Sequence, residues 1–213
     1  MICLTPKMVE IIRKNGRAYT IKENKDRFLF PKEYMLIFDN LKAKQKHTLK
    51  VQINTGARIN ELQNVMVADC FLKDKRILLK VTKAKARKGE KKGKQRMIPI
   101  STDFAKYLKR YISRKKLGVN DRIGMLSTPA TNIAYKKAGK LVEIKDYQNI
   151  SSHTIRKTLE CWLMSLGTQD SILVSHFGHD LRTAVSSYVS PDIFSLEEKS
   201  DMRLIIGNLY QRQ

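Results

Sequence analysis

Apolar residues recur at helical spacing over most of the chain and switch to a period of two in one short stretch. Pro31 is a good first-turn residue, and Met35, Phe38 and Leu41 follow it at helical spacing. Leu49 to Asn54 predicts a second helix ending near Thr55-Gly56, and Ile59, Leu62 and Val65 mark a third, on which Arg58 and Glu61 share a face. Between 70 and 100 the period shortens. Cys70 to Leu72, Arg76 to Thr82 and Gln95 to Ile100 predict strands, with Lys73-Asp74 as a turn and Lys83 to Lys94 as a long hairpin tip. Ser101-Thr102-Asp103 caps the next helix, whose stripe is Phe104, Leu108 and Tyr111/Ile112. A further helix follows Pro129, and residues 139–151 link it to a helical C-terminal part.

In that part Ser152 is the expected cap of a helix with Ile155, Leu159, Trp162, Leu163 and Leu166 on its core face and Gly167 as its stop. Thr168 caps the next, ending near Gly178, and Asp180 caps a third with Leu181, Ala184, Val185 and Tyr188 on one face. After Pro191, Leu196 to Tyr210 predicts a last helix. Residues 1–28 are basic and mixed, broken at Gly16, and read as a short arm or a degenerate leading helix. The pattern is mainly α with a small three-stranded antiparallel β-sheet, an α+β class.

Charge narrows the functions. The 213 residues carry 42 Lys/Arg against 20 Asp/Glu, a net +22, and such a field attracts polyanions. An apolar fraction of 42% is ordinary for a folded domain and excludes a disordered basic tail. No apolar run approaches the length of a membrane span, and residues 1–7 lack the pattern of a secretion signal. Cys3, Cys70 and Cys161 are odd in number and far apart, against a disulfide framework or a thiolate zinc site and in keeping with an intracellular compartment. His176 and His179 have no carboxylate or cysteine cluster beside them, so no metal site is expected. Double-stranded DNA or another nucleic acid is the favoured partner, ahead of an anionic membrane.

Four fragments carry candidate chemistry, in this order: Thr55-Gly56-Ala57-Arg58-Ile59-Asn60-Glu61-Leu62, His153-Thr154-Ile155-Arg156, Phe177-Gly178-His179, and Tyr188 nine residues after His179. Two arginines can clamp a phosphodiester through planar forks, two histidines can share its protons, and a tyrosine can attack phosphorus to give a covalent ester. Each residue also has an ordinary explanation. Arg58 can pair with Glu61, and Arg156 can be an exposed arginine opposite the apolar stripe. His153 can cap, His179 can sit in a turn, and Tyr188 can pack with Leu181, Ala184 and Val185.

In this order and local context the fragments resemble the active site of the tyrosine recombinases, the family of phage integrases and Xer-type recombinases. The resemblance covers roughly residues 30 to 213, giving a short basic arm over 1–28 and a catalytic domain over 29–213. It implies an enzyme that cuts and rejoins DNA through a 3′-phosphotyrosyl intermediate, without metal or cofactor. Arg58 and Arg156 would hold the phosphate, Glu61 would support Arg58, His153 would assist, His179 would hydrogen-bond the scissile phosphate and Tyr188 would be the nucleophile. A hairpin lysine would be the general acid: Lys83 fits the strand-Thr-Lys pattern, with Lys91 and Lys85 as alternatives. Nine basic residues lie between Lys80 and Arg96. Of these, Lys85, Arg87, Lys88, Lys91, Lys92, Lys94 and Arg96 are expected on the DNA backbone.

Family members mostly carry a separate DNA-binding domain ahead of the catalytic one, where this chain has some 28 residues. An arm acting alone, a partner or oligomer closing the clamp, or a longer parent chain would each account for that. The resemblance further implies a homo-oligomer, a tetramer on DNA. The last helix, with Leu196, Met202, Leu204, Ile205, Ile206 and Leu209, would either dock on a neighbour or fold back. Two rival functions remain: a type IB topoisomerase, disfavoured by a histidine at 153 where those enzymes usually have lysine, and a degenerate DNA-binding module, disfavoured by four intact fragments.

Overall fold

The computed structural model describes residues 8–13, 16–22, 27–80, 95–178 and 191–210. They form a mainly helical fold with the expected three-stranded antiparallel sheet and a separate two-stranded hairpin. Among them no helix is long and apolar enough to cross a membrane. The helices are α1 Pro31–Asp39, α2 Ala43–Thr55, α3 Ile59–Leu62, α4 Thr102–Lys115, α5 Thr128–Leu141, α6 Ser152–Ser165, α7 Asp170–Phe177 and α8 Leu196–Ile206.

Two apolar cores divide the fold. The first gathers Leu29, Ile37, Leu49, Ile53, Tyr135, Leu159, Trp162 and Phe177 between α1, α2, α5, α6, α7 and α8. The second gathers Leu62, Ile77, Leu79, Ile98, Phe104 and Leu108 between α3, the sheet and α4. Helix α2 serves both, sending Leu49 and Ile53 to the first and Val51 to the second. It starts a turn and a half before the predicted Leu49, because its opening residues lack an apolar pattern. His47 there is buried on specific bonds instead. A carbonyl can only accept, so its Nε2 donates to Ile123 O (2.8 Å), and its Nδ1 accepts the Tyr107 hydroxyl (2.9 Å).

Strands β3 Cys70–Phe71, β4 Arg76–Lys80 and β5 Gln95–Pro99 lie in sequence order, with Ile77 opposite Ile98 and Leu79 opposite Arg96. Period-two alternation turns Ile77, Leu79 and Ile98 onto the second core. Ser101 caps α4 as predicted, its Oγ accepting the Phe104 N–H. The caps of α6 and α7 each fall one residue off expectation: Ser151, and not Ser152, caps α6 and accepts the His153 N–H at 3.2 Å, while Gln169, and not Thr168, precedes α7.

Residues 8–12 and 18–22 correct the leading-helix alternative. They form β1 Met8–Ile12 and β2 Ala18–Lys22, antiparallel, with Gly16 at φ +76° in the connection. The hairpin is fastened by Arg13, which pairs with Glu198 and lies over the Phe30 ring at 4.2 Å. The last helix is also shorter than predicted. It stops at Ile206, and Gly207 (φ +66°) turns the chain so that Asn208 Oδ1 accepts the Thr102 N–H of α4. Met202, Ile206 and Leu209 belong to the first core, so α8 folds back on its own domain.

Candidate active site

The turn after α2 sets the first arginine. Gly56 ends that helix in the left-handed region (φ +58°), which costs a glycine little, and the chain then enters α3 with Arg58 as its extended N-cap residue. Arg58 therefore precedes the helix and does not lie on its face as predicted. Glu61, in the first turn of α3, reaches back to accept the Arg58 N–H at 2.9 Å and, more weakly, Nη1 at 3.4 Å. The Arg58 side chain is half exposed (51%), while Glu61 is 2% exposed.

Glu61 has a stronger partner than the one predicted. Arg96 of β5 donates Nη1 and Nη2 to its two oxygens at 2.9 and 2.8 Å, a planar fork on a carboxylate. Burial pushes the Glu61 carboxyl up, but the bonds and charge of Arg96, with those of Arg58, outweigh it and hold the group below its ordinary range. Arg96 was expected among the DNA-backbone cations; its guanidinium is turned inward onto Glu61, with the side chain 15% exposed.

Arg156 is not the exposed arginine that its ordinary explanation offered. Helix α6 is buried on nearly every side from Thr154 to Leu163, so the face opposite its apolar stripe is interior too. The guanidinium donates from Nη1 to Gly56 O (2.8 Å) and from Nη2 to Phe177 O (2.5 Å), and lies 5.0 Å from the Phe177 ring centre. Burial first, then the neighbouring charges of Arg58 and Arg96, lower its pKa to about 10. It stays cationic at neutral pH, and an anion placed beside it would relieve the repulsion. His153 sits one turn ahead, exposed, in the first turn of the same helix.

Helix α7 delivers the third fragment to this place. Its last residue, Phe177, gives its carbonyl to Arg156, and Gly178 caps it at φ +64° with its N–H on Val174 O. His176 is buried and held at both ring nitrogens: Nε2 donates to Thr55 O at 2.9 Å, and Nδ1 accepts the Tyr210 hydroxyl at 2.7 Å. Tyr210 is thus anchored at the domain's end on a structural histidine. His179 and Tyr188 lie outside the described residues, as do Lys83, Lys85, Arg87, Lys88, Lys91, Lys92 and Lys94.

The described residues therefore bring Arg58, Arg96 and Arg156 around one buried carboxylate, at the seam between the two cores. The excess positive charge suits an anion, and the half-exposed Arg58 faces solvent to meet it. Among the described residues no group of three or more His, Cys, Asp or Glu is placed to hold a metal ion. Sequence reasoning missed the Arg96 contact, although alternation puts Arg96 on the same face as Ile98 and Ile100. A cation in an inward row calls for a buried partner.

Comparison with known proteins adds the following. The model of the phage integrase family matches residues 27–193. The tyrosine recombinase XerC of Thermodesulfovibrio yellowstonii is 24% identical over 170 residues, 74% of this chain and 54% of that protein, so the chain spans about half the length of this curated relative. Among solved structures, XerA recombinase superposes with a TM-score of 0.62 at 18% identity, covering 83% of this chain and 64% of that one. A XerH site-specific recombinase bound to difH substrate in a pre-cleavage complex gives 0.59 at 18%, covering 88% and 57%. The catalytic domain of bacteriophage HP1 integrase gives 0.56 at 16%, covering 88% and 99%. At such identities these structures establish a shared fold.

Proposed function

The chain belongs to the phage integrase family of tyrosine recombinases, and on that premise we propose that it breaks and rejoins DNA strands with Tyr188 as the nucleophile. The observation that carries this reading is the meeting of Arg58 and Arg156 at one cationic seam, one half-exposed and the other fixed by main-chain carbonyls. A phosphodiester resists attack because negative charge builds on its oxygens while a poor leaving group departs. Fixed cations aimed at those oxygens lower that barrier.

The Tyr188 phenolic oxygen attacks the scissile phosphorus and passes its proton to one of the two histidines, His153 or His179. The P–O5′ bond breaks, and the departing 5′ oxygen takes a proton from a hairpin lysine, for which Lys83 is the choice. The product is a 3′-phosphotyrosyl ester and a free 5′ hydroxyl. A 5′ hydroxyl from a partner strand reverses the step. The energy of the broken bond stays in the ester, so no ATP is required, and the arginines supply the positive charge that a metal would otherwise bring. Arg58 and Arg156 hold the non-bridging oxygens, Glu61 steadies Arg58, and His153 and His179 hydrogen-bond the phosphate and exchange protons with it. The XerH structure is a pre-cleavage complex with its difH substrate and that of the Tn1549 transposon integrase is a complex with transposon right end DNA, which supports duplex DNA as the partner here. Several copies, a tetramer on paired sites, would exchange strands inside the cell that holds the DNA.

The test is covalent trapping on a library of duplexes nicked beside a randomised core. The wild-type chain is expected to form an adduct that survives denaturation, and Tyr188→Phe to bind DNA normally without forming it. Adducts that persist in Tyr188→Phe and vanish in Tyr210→Phe would refute the assignment. Holliday-junction formation on the selected duplex then separates strand exchange from the swivelling of a single duplex.

A further inference from the structure

Arg96 occupies an inward position on β5, level with Leu79 on β4 and two residues from Ile98, both fully buried. A guanidinium is kept in such a row only by acceptors that replace water. Three surround it. Glu61 takes its two terminal nitrogens, and His176 O accepts from Nε at 3.3 Å. Its side chain also runs along Gly178, passing 3.4–3.5 Å from where a Cβ there would stand. Arg96 thereby touches three separate pieces of the site. These are the first turn of α3, which carries Arg58; the end of α7, which leads into His179; and the strand that returns from the lysine-rich hairpin.

With Nε on His176 O and both terminal nitrogens on Glu61, Arg96 keeps only two N–H groups, on different nitrogens and pointing apart, and has no paired fork to offer a phosphate. We propose that Arg96 is a positioning residue and not a DNA ligand: it locks the hairpin's return strand and the Gly178 end of α7 to the carboxylate that steadies Arg58. The lock makes the placement of three functional groups depend on one internal ion pair. This inference rests on the strand-cleavage reading above, and it predicts a loss of rate without a loss of DNA contacts.

Two measurements on the same variants test it. The first is the salt dependence of binding to a short mixed-sequence duplex, where each phosphate contact contributes about 0.9 to the slope of log affinity against log salt. Arg96→Gln is expected to keep the wild-type slope, while Arg58→Ala lowers it by about one contact. The second is the single-turnover rate of adduct formation at saturating protein on the duplex selected by the wild-type chain. Small misplacements of catalytic groups cost up to about 100-fold, so Arg96→Gln is expected to slow this step by about ten- to a hundredfold. Arg96→Lys should recover part of the rate. Glu61→Gln/Arg96→Gln should be no slower than the slower single variant, since each residue acts through the other.

A slope lowered by about 0.9 in Arg96→Gln would make it a phosphate ligand and overturn the proposal. So would a wild-type rate at saturation, or losses that multiply in the double variant. Should Arg96→Gln fail to fold with Glu61 stranded, the double variant removes that charge and takes its place in both measurements. If the wild-type chain forms no adduct on any duplex, the cleavage reading has failed, and the salt slope alone decides between phosphate contact and internal lock.

Discussion

Gly56→Ala tests the seat of the second arginine most directly. At Gly56 an added Cβ would stand 2.5 Å from Phe177 Cε1, 2.9 Å from Leu159 Cδ2 and 3.2 Å from Phe177 Cζ. Both neighbours are fully buried, so neither can swing into solvent. Overpacking of this kind costs about 1–3 kcal/mol. The residue also lies at φ +58°, where a Cβ adds about 1–2 kcal/mol. The expected total is about 2–5 kcal/mol of folding stability, read from urea unfolding midpoints at constant slope. Gly167→Ala is the control, because Gly167 has φ +84° but nothing within 4 Å of the added carbon. It should lose only the conformational part, about 1–2 kcal/mol. A second change, Phe177→Leu, should return part of the loss in Gly56→Ala and none in Gly167→Ala. The carbonyls of Gly56 and Phe177 both hold Arg156, so adduct formation should fall in Gly56→Ala beyond what unfolding explains. Equal losses in the two alanine variants, within about 0.5 kcal/mol, would refute the packing argument.

Three further predictions follow from the same geometry. Arg58→Ala and Arg156→Ala should each slow adduct formation by roughly 10²–10³, and lysine should substitute poorly because it lacks the planar fork; a wild-type rate in either Arg→Lys variant would contradict this. Adduct formation should survive EDTA, since the arginines supply the positive charge; strict dependence on added magnesium would point to a different mechanism. Burial lowers His47 from 6.5 to about 4, so the unfolded chain takes up its proton first as pH falls. The stability His47 contributes is therefore complete above about pH 6.5 and is lost towards pH 4, amounting to about 3 kcal/mol, and His47→Gln should flatten that part of the unfolding profile. His176, lowered to about 3 by burial, acts with the same sign over a wider window. An unchanged acid slope in His47→Gln would show that His47 is not the group responsible.

Legibility in the sequence followed the number of faces an element buries. Helix α4 packs one side only, and Ser101, Phe104, Leu108 and Tyr111 declared it fully. Helices α2 and α6 are buried almost all round, so a two-colour pattern misplaces them. His47 and Thr48 concealed the start of α2, and for Arg156 the ordinary alternative was an exposed arginine, because charge and burial are usually exclusive. The order of Arg58, His153, Arg156, His179 and Tyr188 was legible as a motif. The local geometry of Arg156 was not, since its acceptors are main-chain atoms that leave no trace in residue identity. Arg96 lay between these cases: strand alternation marked it as inward, but its place in a lysine-rich stretch suggested the opposite.

The two arginines are secured by different kinds of anchor, and that difference bears on inheritance. Arg58 leans on the carboxylate of Glu61, which a single codon change can remove. Arg156 leans on two backbone carbonyls, which every amino acid supplies. Its orientation is thus passed down with the path of the chain and survives wide replacement of the surrounding side chains, provided position 56 still tolerates a left-handed turn. A lineage can diverge almost beyond recognition and keep Arg156 aimed, whereas Arg58 must be retained together with its partner.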